Sequence, residues 1–195
     1  MKTFWLALFC ASSVFCALGE ERTINSPNKK FSAVLTSSDG SDYWFDKMVI
    51  QDDQNNILFS TNGHGLSDQL FEGPFTAEHV LWSPDSTFVA ATFGYSHYML
   101  TVLFCHRSNI FVQVPIPDLS EHEDNPQIVP IKWISGRRLI LDISGPHAGH
   151  NIESFYHGRA TIRVLQKSLM SEVLYKYMTE TRSLKEAEQG AAANP

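Results

Sequence analysis

The sequence predicts an all-β fold built from antiparallel four-stranded meanders. Short apolar stretches alternate with polar residues and are separated by clusters of Gly, Pro, Asn, Asp and Ser, the pattern of short strands joined by turns. A tryptophan followed by a turn and a second strand recurs along the chain. Together with the long apolar stretch at 98–105, these observations favour a core that lies between β-sheets.

The clearest strand–turn–strand pattern lies at 80–91. Pro84 presets the backbone for the second position of a turn, and Asp85 can bond nearby backbone groups there. Phe88 and the residues after it suit a pleated, half-buried surface. Trp82, just before the turn, is large enough to anchor a core, so Trp82, Pro84 and Asp85 are predicted structural residues, as is Trp133 at the equivalent place in a later copy.

Two weaker copies of this pattern lie at 26–34 and 132–141, the latter around Trp133 and without a proline. An apolar residue, Trp-Ser-Pro-Asp and a small apolar strand resemble the first hairpin of a blade in TolB-like and WD40-like β-propellers. This resemblance implies three blade-like units. Ser26 and Ser83 are 57 residues apart, and Trp82 and Trp133 are 51 apart, near the long end for such repeats.

Three blades are too few to close a ring, because propellers typically need four to eight. The predicted fold is therefore propeller-like or sandwich-like. An open stack of three sheets, a sandwich made from the same strands and half of a closed dimer all stay open.

Each unit is predicted to contain four strands in sequence. The expected strands are 20–25, 31–36, 43–50 and 57–60 in the first unit, 79–82, 87–93, 98–105 and 110–114 in the second, and 128–133, 139–143, 160–165 and 170–178 in the third. The last is ambiguous, since residues 169, 173 and 177 have helical spacing whereas 173, 175 and 177 alternate. The repeat favours a strand at 173–178 that pairs with 160–165, and a short helix is expected over 184–189.

The N-terminal residues have the features of a signal peptide. Lys2 precedes the apolar stretch 4–15, which is too short to span a bilayer, and small residues precede Glu20. We expect cleavage after Gly19, which leaves one all-β domain at 20–181 and a polar tail at 182–195. The mature protein is then secreted or periplasmic and has no membrane span.

Cysteine content and charge narrow the function classes. Removal of residues 1–19 leaves Cys105 as the one cysteine, so no internal disulfide can form, and its apolar surroundings predict a small buried side chain. The formal net charge of −6 disfavours binding to nucleic acid.

A histidine-rich insertion at 144–158 holds the candidate ligand or metal residues. Imidazole and carboxylate groups are competent metal ligands, and a second histidine lies in the turn of unit two at an equivalent position. Their spacing matches no specific zinc pattern, so a solvated loop is the expected structure. The candidates are His147, His150, Glu153, His157 and His97.

The sequence thus predicts an exported binding or scaffold module rather than an enzyme, and it identifies no catalytic residue. A metal-dependent hydrolase or metal-binding protein that uses 147–157 is one alternative, and a carbohydrate-binding domain is another. We expect a protein or small-molecule partner and no cofactor unless the histidine insertion binds a divalent metal, and assembly into a homo-oligomer stays open.

Overall fold

A computed structural model describes residues 20–61, 74–95, 98–119, 126–146, 154–165 and 168–182. The predicted all-β fold with antiparallel sheets is confirmed across these ranges. The expected signal peptide at 1–19 and the expected helix at 184–189 lie outside the described residues and stay predictions.

The first sheet is a four-stranded antiparallel meander, named unit 1 here. The first five strands along the chain are β1 (Glu21–Asn25), β2 (Phe31–Thr36), β3 (Trp44–Phe45), β4 (Lys47–Asp52) and β5 (Ile57–Ser60). Unit 1 has the order β1-β2-β4-β5.

The second and third meanders are joined into one sheet. Unit 2 consists of β6 (Phe75–Trp82), β7 (Phe88–Tyr95), β8 (Tyr98–Arg107) and β9 (Ile110–Val114). Unit 3 consists of β10 (Gln127–Ser135), β11 (Arg138–Pro146), β12 (Ser154–Leu165) and β13 (Met170–Arg182). A single parallel bridge between Met99 and Gln127 links them. The described strands do not close into a ring.

The predicted strand at 43–50 is wrong as one element. Trp44 and Phe45 form β3, which pairs with β6 of unit 2, whereas unit 1 resumes only at Lys47. The break lies at Asp46, whose carboxylate accepts bonds from the backbone N–H and hydroxyl of Ser38. This local bonding bends the chain between the two units.

The strand predicted at the end of unit 3 is confirmed. Residues 170–182 form β13, which pairs antiparallel with β12, with Ala160 opposite Lys176 and Leu165 opposite Met170. A bulge near Thr161 shifts the register by one residue. A bulge inserts one extra residue, so the alternation of apolar and polar residues before it is out of step with the alternation after it. This break explains the ambiguous spacing in the sequence.

Unit 2 lies between the other two units and is buried on both faces. One core packs Ala33, Leu35, Met48 and Ile50 of unit 1 against Val89, Ala91 and Phe104 of unit 2. The other packs Phe88, Ala90 and Leu103 of unit 2 against Leu139, Leu141 and Ile162 of unit 3. Because successive side chains alternate between faces, continuous apolar sequence in β7 and β8 fills both cores.

The two outer faces of the stack are polar. Strand residues that alternate with the core residues of unit 1 include Thr36 and Gln51. Those of unit 3 include Arg138, Asp142 and Arg159. Polar outer faces are typical of the end units in stacked repeats, because no further unit covers them.

In the turn after β6, side-chain hydrogen bonds hold the backbone where strand pairing ends. The Ser83 hydroxyl donates to Asp85 Oδ1 at 2.6 Å and accepts the Phe88 N–H at 2.9 Å. Ser83 also exchanges backbone bonds with Phe88 and Ser86. Ser86 has a positive φ of 60°. Asp85 therefore shapes the turn, as the sequence suggests for this residue type.

The turn after β1 repeats the same bonds at equivalent positions. The Ser26 hydroxyl donates to Asn28 Oδ1 at 2.9 Å and accepts the Phe31 N–H at 3.0 Å. Lys29 has a positive φ of 59°. The two turns also touch, since the Asn28 N–H donates to the Ser86 hydroxyl at 3.1 Å. The hydrogen bonds of the turn after β1 are thus repeated one by one in the turn after β6.

Each tryptophan of the repeat connects its unit to the one before it. The Trp82 indole N–H donates to the Ile24 carbonyl at 2.9 Å, and the Trp133 indole N–H donates to the Leu81 carbonyl at 3.0 Å. Ile24 and Leu81 occupy equivalent places before the turns of units 1 and 2. Trp82 is buried and Trp133 is half-buried.

A ring after each turn packs against the same tryptophans. Phe31 stacks on Trp82 with centroids 6.3 Å apart, and Phe88 stacks on Trp133 at 5.8 Å. One contact pattern therefore describes both joints between units.

The third turn differs because it is tighter. Ser135 pairs with Arg138, so two residues form the hairpin loop. A Cβ on Gly136 would lie 2.6 Å from Asp85 Oδ2, so a larger residue there requires the Asp85 carboxylate to shift. The turn of unit 3 thus packs against the turn of unit 2 without a Ser-Pro-Asp sequence of its own.

Candidate ligand-binding cavity

A cavity of about 380 Å³ opens where β9 separates from β8. Leu103 is still paired with Val114, whereas the Met99 N–H donates to the Pro126 carbonyl at 3.2 Å. Between these two points the edge of β8 faces the segment 115–119 instead of a neighbouring strand. The cavity fills this gap.

The walls are mostly apolar with a few polar groups. Side chains from three strands and the 115–119 segment supply the apolar surface, namely Phe93, Leu100, Val102, Ile116, Leu119 and Ile128. Tyr98, Thr101, Gln113 and Asp118 supply the polar groups. A concave apolar site with few polar groups is the usual composition of a small-molecule pocket.

One wall of the cavity is fixed by bonds to unit 3. The Ser171 hydroxyl donates to the Pro115 carbonyl at 2.6 Å, and Lys176 Nζ donates to the Leu119 carbonyl at 2.8 Å. Both donors lie on β13. The segment 115–119 is therefore held in place from both of its ends.

A row of threonines leads from the cavity into the core. Thr101 lines the cavity, and its hydroxyl donates to the Ile128 carbonyl at 2.7 Å. Thr92 and Thr76 follow on the neighbouring strands, directly opposite one another in register. Both hydroxyls are buried and meet no hydrogen-bond partner among the described residues. A buried hydroxyl without a hydrogen-bond partner lowers the stability of the fold. Thr76 and Thr92 are therefore a locally destabilising feature beside the cavity.

Tyr98 gives the cavity a neutral polar group. Burial raises the pKa of the Tyr98 phenol. The phenol therefore stays protonated at neutral pH and keeps its hydrogen as a donor.

The sequence did not identify this cavity. In the sequence, Pro115 and Pro117 indicate only that a strand ends there. Prolines that end a strand early also leave the edge of the adjacent strand uncovered, which is the signal that could have located the cavity.

Most of the predicted ligand residues lie outside the described part of the chain. His147, His150, Glu153 and His97 belong to this group. His157 is described, and its predicted place in a loop is wrong, because β12 begins at Ser154. Pairing of β11 with β12 continues to Pro146, so the insertion is shorter than expected.

His157 contacts a carboxylate on the outer face of unit 3. Its Nε2 lies 3.2 Å from Asp142 Oδ2, and Arg159 Nε lies 3.4 Å from Asp142 Oδ1. Asp142 thus sits between a histidine and an arginine. Within the ranges given above, no group of three His, Cys, Asp or Glu side chains could hold a metal ion.

Cys105 is a buried free thiol. Desolvation raises its pKa, and Asp85 adds to this increase, whereas Arg107 and Arg137 act in the opposite direction without cancelling it. A protonated, inaccessible thiol is a poor nucleophile, which agrees with the structural role expected for this residue.

Comparison with known proteins does not assign the chain to a family. No protein-family model matches the sequence, and no curated protein matches it either. In the described ranges no helix is long and apolar enough to cross a bilayer.

Proposed function

We propose that this protein is an exported binding module whose ligand site is the cavity beside β8. The observation that carries this proposal is the apolar cavity of about 380 Å³ with Tyr98, Gln113 and Asp118 at its walls. Small-molecule sites have volumes of roughly 300–1,000 Å³. The ligand class that fits is a small, mostly apolar molecule with one or two polar groups.

A neutral naphthylamine dye tests the site. N-phenyl-1-naphthylamine becomes fluorescent in apolar cavities, and we expect the protein to bind it with a saturable signal. Leu100→Trp fills the cavity and should abolish the signal, whereas Ile110→Trp, at an exposed place on β9, should retain it. Equal dye binding by both variants would refute the cavity as the site.

Export is supported by the signal-peptide features of residues 1–19. Mass spectrometry of the secreted or periplasmic protein should show Glu20 at the N-terminus. A soluble mature chain that still carries Lys2 would contradict this part of the proposal.

We also propose that the units are blade-like repeats related to those of TolB-like and WD40-like propellers. The equivalent turns at Ser26 and Ser83 support this, as do the equivalent bonds from Trp82 and Trp133. We favour an open stack of the three units, in which units 2 and 3 share one sheet, over half of a closed dimer. Closure would bury the charged outer face of unit 3 at a large desolvation cost.

The two alternative functions receive less support. A metal-dependent activity depends chiefly on 147–153, which lies outside the described residues. A carbohydrate-binding platform needs exposed aromatic rings; Phe45, Phe104 and Phe111 are buried, and Tyr43 is exposed.

A further inference from the structure

The outermost strand of unit 3 is a long open edge. β13 has 13 residues and pairs with β12 on one side. In the described part of the chain no strand pairs with its other side. Other outer strands are short, with four residues in β5 and five in β9. Natural proteins usually shorten or cover such edges, so β13 is the exception in this fold.

The pairing pattern shows which backbone groups face the open edge. The Val164 N–H donates to the Arg137 carbonyl, so the backbone groups of Val164 point away from β13. Ser171 is opposite Val164 in the register. Backbone groups alternate along an antiparallel strand, so those of Ser171 and Val173 point outward. They are available to a further strand.

The same strand carries a group of exposed apolar side chains. Met170 is 56% exposed, Leu174 41%, Tyr175 61% and Val173 39%. Four of the nine exposed large hydrophobic residues among the described ranges thus lie within six consecutive positions. An exposed cluster of this kind typically marks a binding surface.

The charge around β13 is positive, in contrast to the rest of the molecule. Residues 126–182 contain eight Lys or Arg and four Asp or Glu, whereas residues 20–125 contain five and fifteen. A positive end on an acidic molecule attracts anionic partners to that end.

Two arginines on the outer face of unit 3 have one carboxylate partner between them among the described residues, with Arg163 on the strand next to β13 and Arg138 one strand further in. Arg138 and Arg163 are directly opposite one another on β11 and β12, and Glu172 pairs with Arg163. No ion pair to Arg138 or Lys132 occurs among the described residues. Like charges directly opposite in a sheet are destabilising, and an added anion would relieve this repulsion.

We propose that β13 docks an extended acidic segment of a partner protein as an added strand. Backbone groups such as those of Ser171 and Val173 would supply the hydrogen bonds, and Leu174 and Tyr175 the apolar contacts. The arginines on the outer face would select acidic residues in the partner. A second copy of this chain fits less well, because pairing two β13 strands brings two positive units together.

Fluorescence anisotropy with a labelled nine-residue peptide of alternating Glu and Val tests this proposal, with the Lys and Val counterpart as the charge control. The full-length mature chain should bind the acidic peptide, and raising salt from 20 to 200 mM should weaken binding because the charges are exposed. The basic peptide should not bind.

Variants separate the edge from general charge effects. Leu174→Lys with Tyr175→Lys should weaken acidic-peptide binding by about tenfold or more, since it removes the apolar contacts and protects the edge. Ile134→Lys adds charge at a 55% exposed residue away from β13 and should leave binding within about twofold. Arg138→Glu with Arg163→Glu should weaken it as well. Circular dichroism checks that each variant is folded.

Three results would overturn the proposal. Equal binding of the acidic and basic peptides would exclude charge selection. Equal binding by the Leu174/Tyr175 variant and by Ile134→Lys would exclude the edge. Sedimentation velocity that shows a dimer, dissociated by the Leu174/Tyr175 variant, would assign the edge to a second copy instead.

Discussion

Trp82→Ala should lower the free energy of unfolding by about 4 kcal/mol, in the middle of the usual range for large buried aromatics. The indole is buried, stacks on Phe31 and meets Phe111 edge-on with centroids 5.7 Å apart. Its N–H satisfies the Ile24 carbonyl, which truncation would leave without that donor. Lost burial and the lost indole hydrogen bond contribute in the same direction.

Trp133→Ala should cost less, about 3 kcal/mol, because Trp133 is half-buried. It makes the equivalent contacts, a stack on Phe88 and a bond to the Leu81 carbonyl. The ratio of the two losses in unfolding free energy therefore measures how closely the contacts of Trp133 resemble those of Trp82.

Urea unfolding followed by circular dichroism supplies both values. Trp82→Phe and Trp133→Phe keep a ring but remove the indole N–H, and each should cost about 1 kcal/mol or slightly more. Trp44→Phe is the control, since Trp44 makes no indole bond within the described ranges, and should change stability by less than about 0.5 kcal/mol. A loss below about 1 kcal/mol for both alanine variants would refute the assignment of these residues as joints between units.

Four further results are expected. Thr92→Val should raise the free energy of unfolding in urea by about 1 kcal/mol, because it removes an unpaired buried hydroxyl. Thr101→Val should lower it by a similar amount, because it removes the bond to the Ile128 carbonyl. A loss of stability in both variants would mean that the Thr92 hydroxyl has a bound water. Burial lowers the pKa of His106, so the folded protein should lose stability as the pH falls below about 6.5. His106→Gln should make the free energy of unfolding less dependent on pH between about pH 7 and 5. An unchanged pH dependence in this variant would contradict the role of His106. The Cys105 thiol should react with iodoacetamide about a hundredfold more slowly in the native protein than in urea, and comparable rates would mean that it is accessible. Gly94→Ala should cost more than about 2 kcal/mol in thermal unfolding, because Gly94 has a φ of 124° and a Cβ there would meet the Tyr98 carbonyl; a smaller loss would mean that the turn relaxes.

Local sequence signals predicted most of the strands because the fold is built from consecutive hairpins. In such a meander each strand pairs with its neighbour in sequence, so alternation and turn residues carry most of the information. The turn at Ser83 was readable because Pro84 and Asp85 act within it. The strand at 170–178 became predictable once the repeat supplied a position for it.

Contacts between units were less predictable, because they join residues far apart in sequence. The bond from Trp133 to Leu81 spans 52 residues. The close contact at Gly136 involves Asp85 in the preceding unit. The cavity likewise forms between β8 and two segments that follow β9, so no single stretch of sequence contains its pattern.

The two equivalent tryptophan joints have a consequence for how the chain folds. Unit 2 contacts both other units, while units 1 and 3 each depend on unit 2 for their apolar faces. Stability in such an array is a sum of unit and nearest-neighbour terms. Folding should therefore start at unit 2 and extend to either side. Weakening one joint should populate an intermediate in which one end unit is unfolded and the other two units stay native.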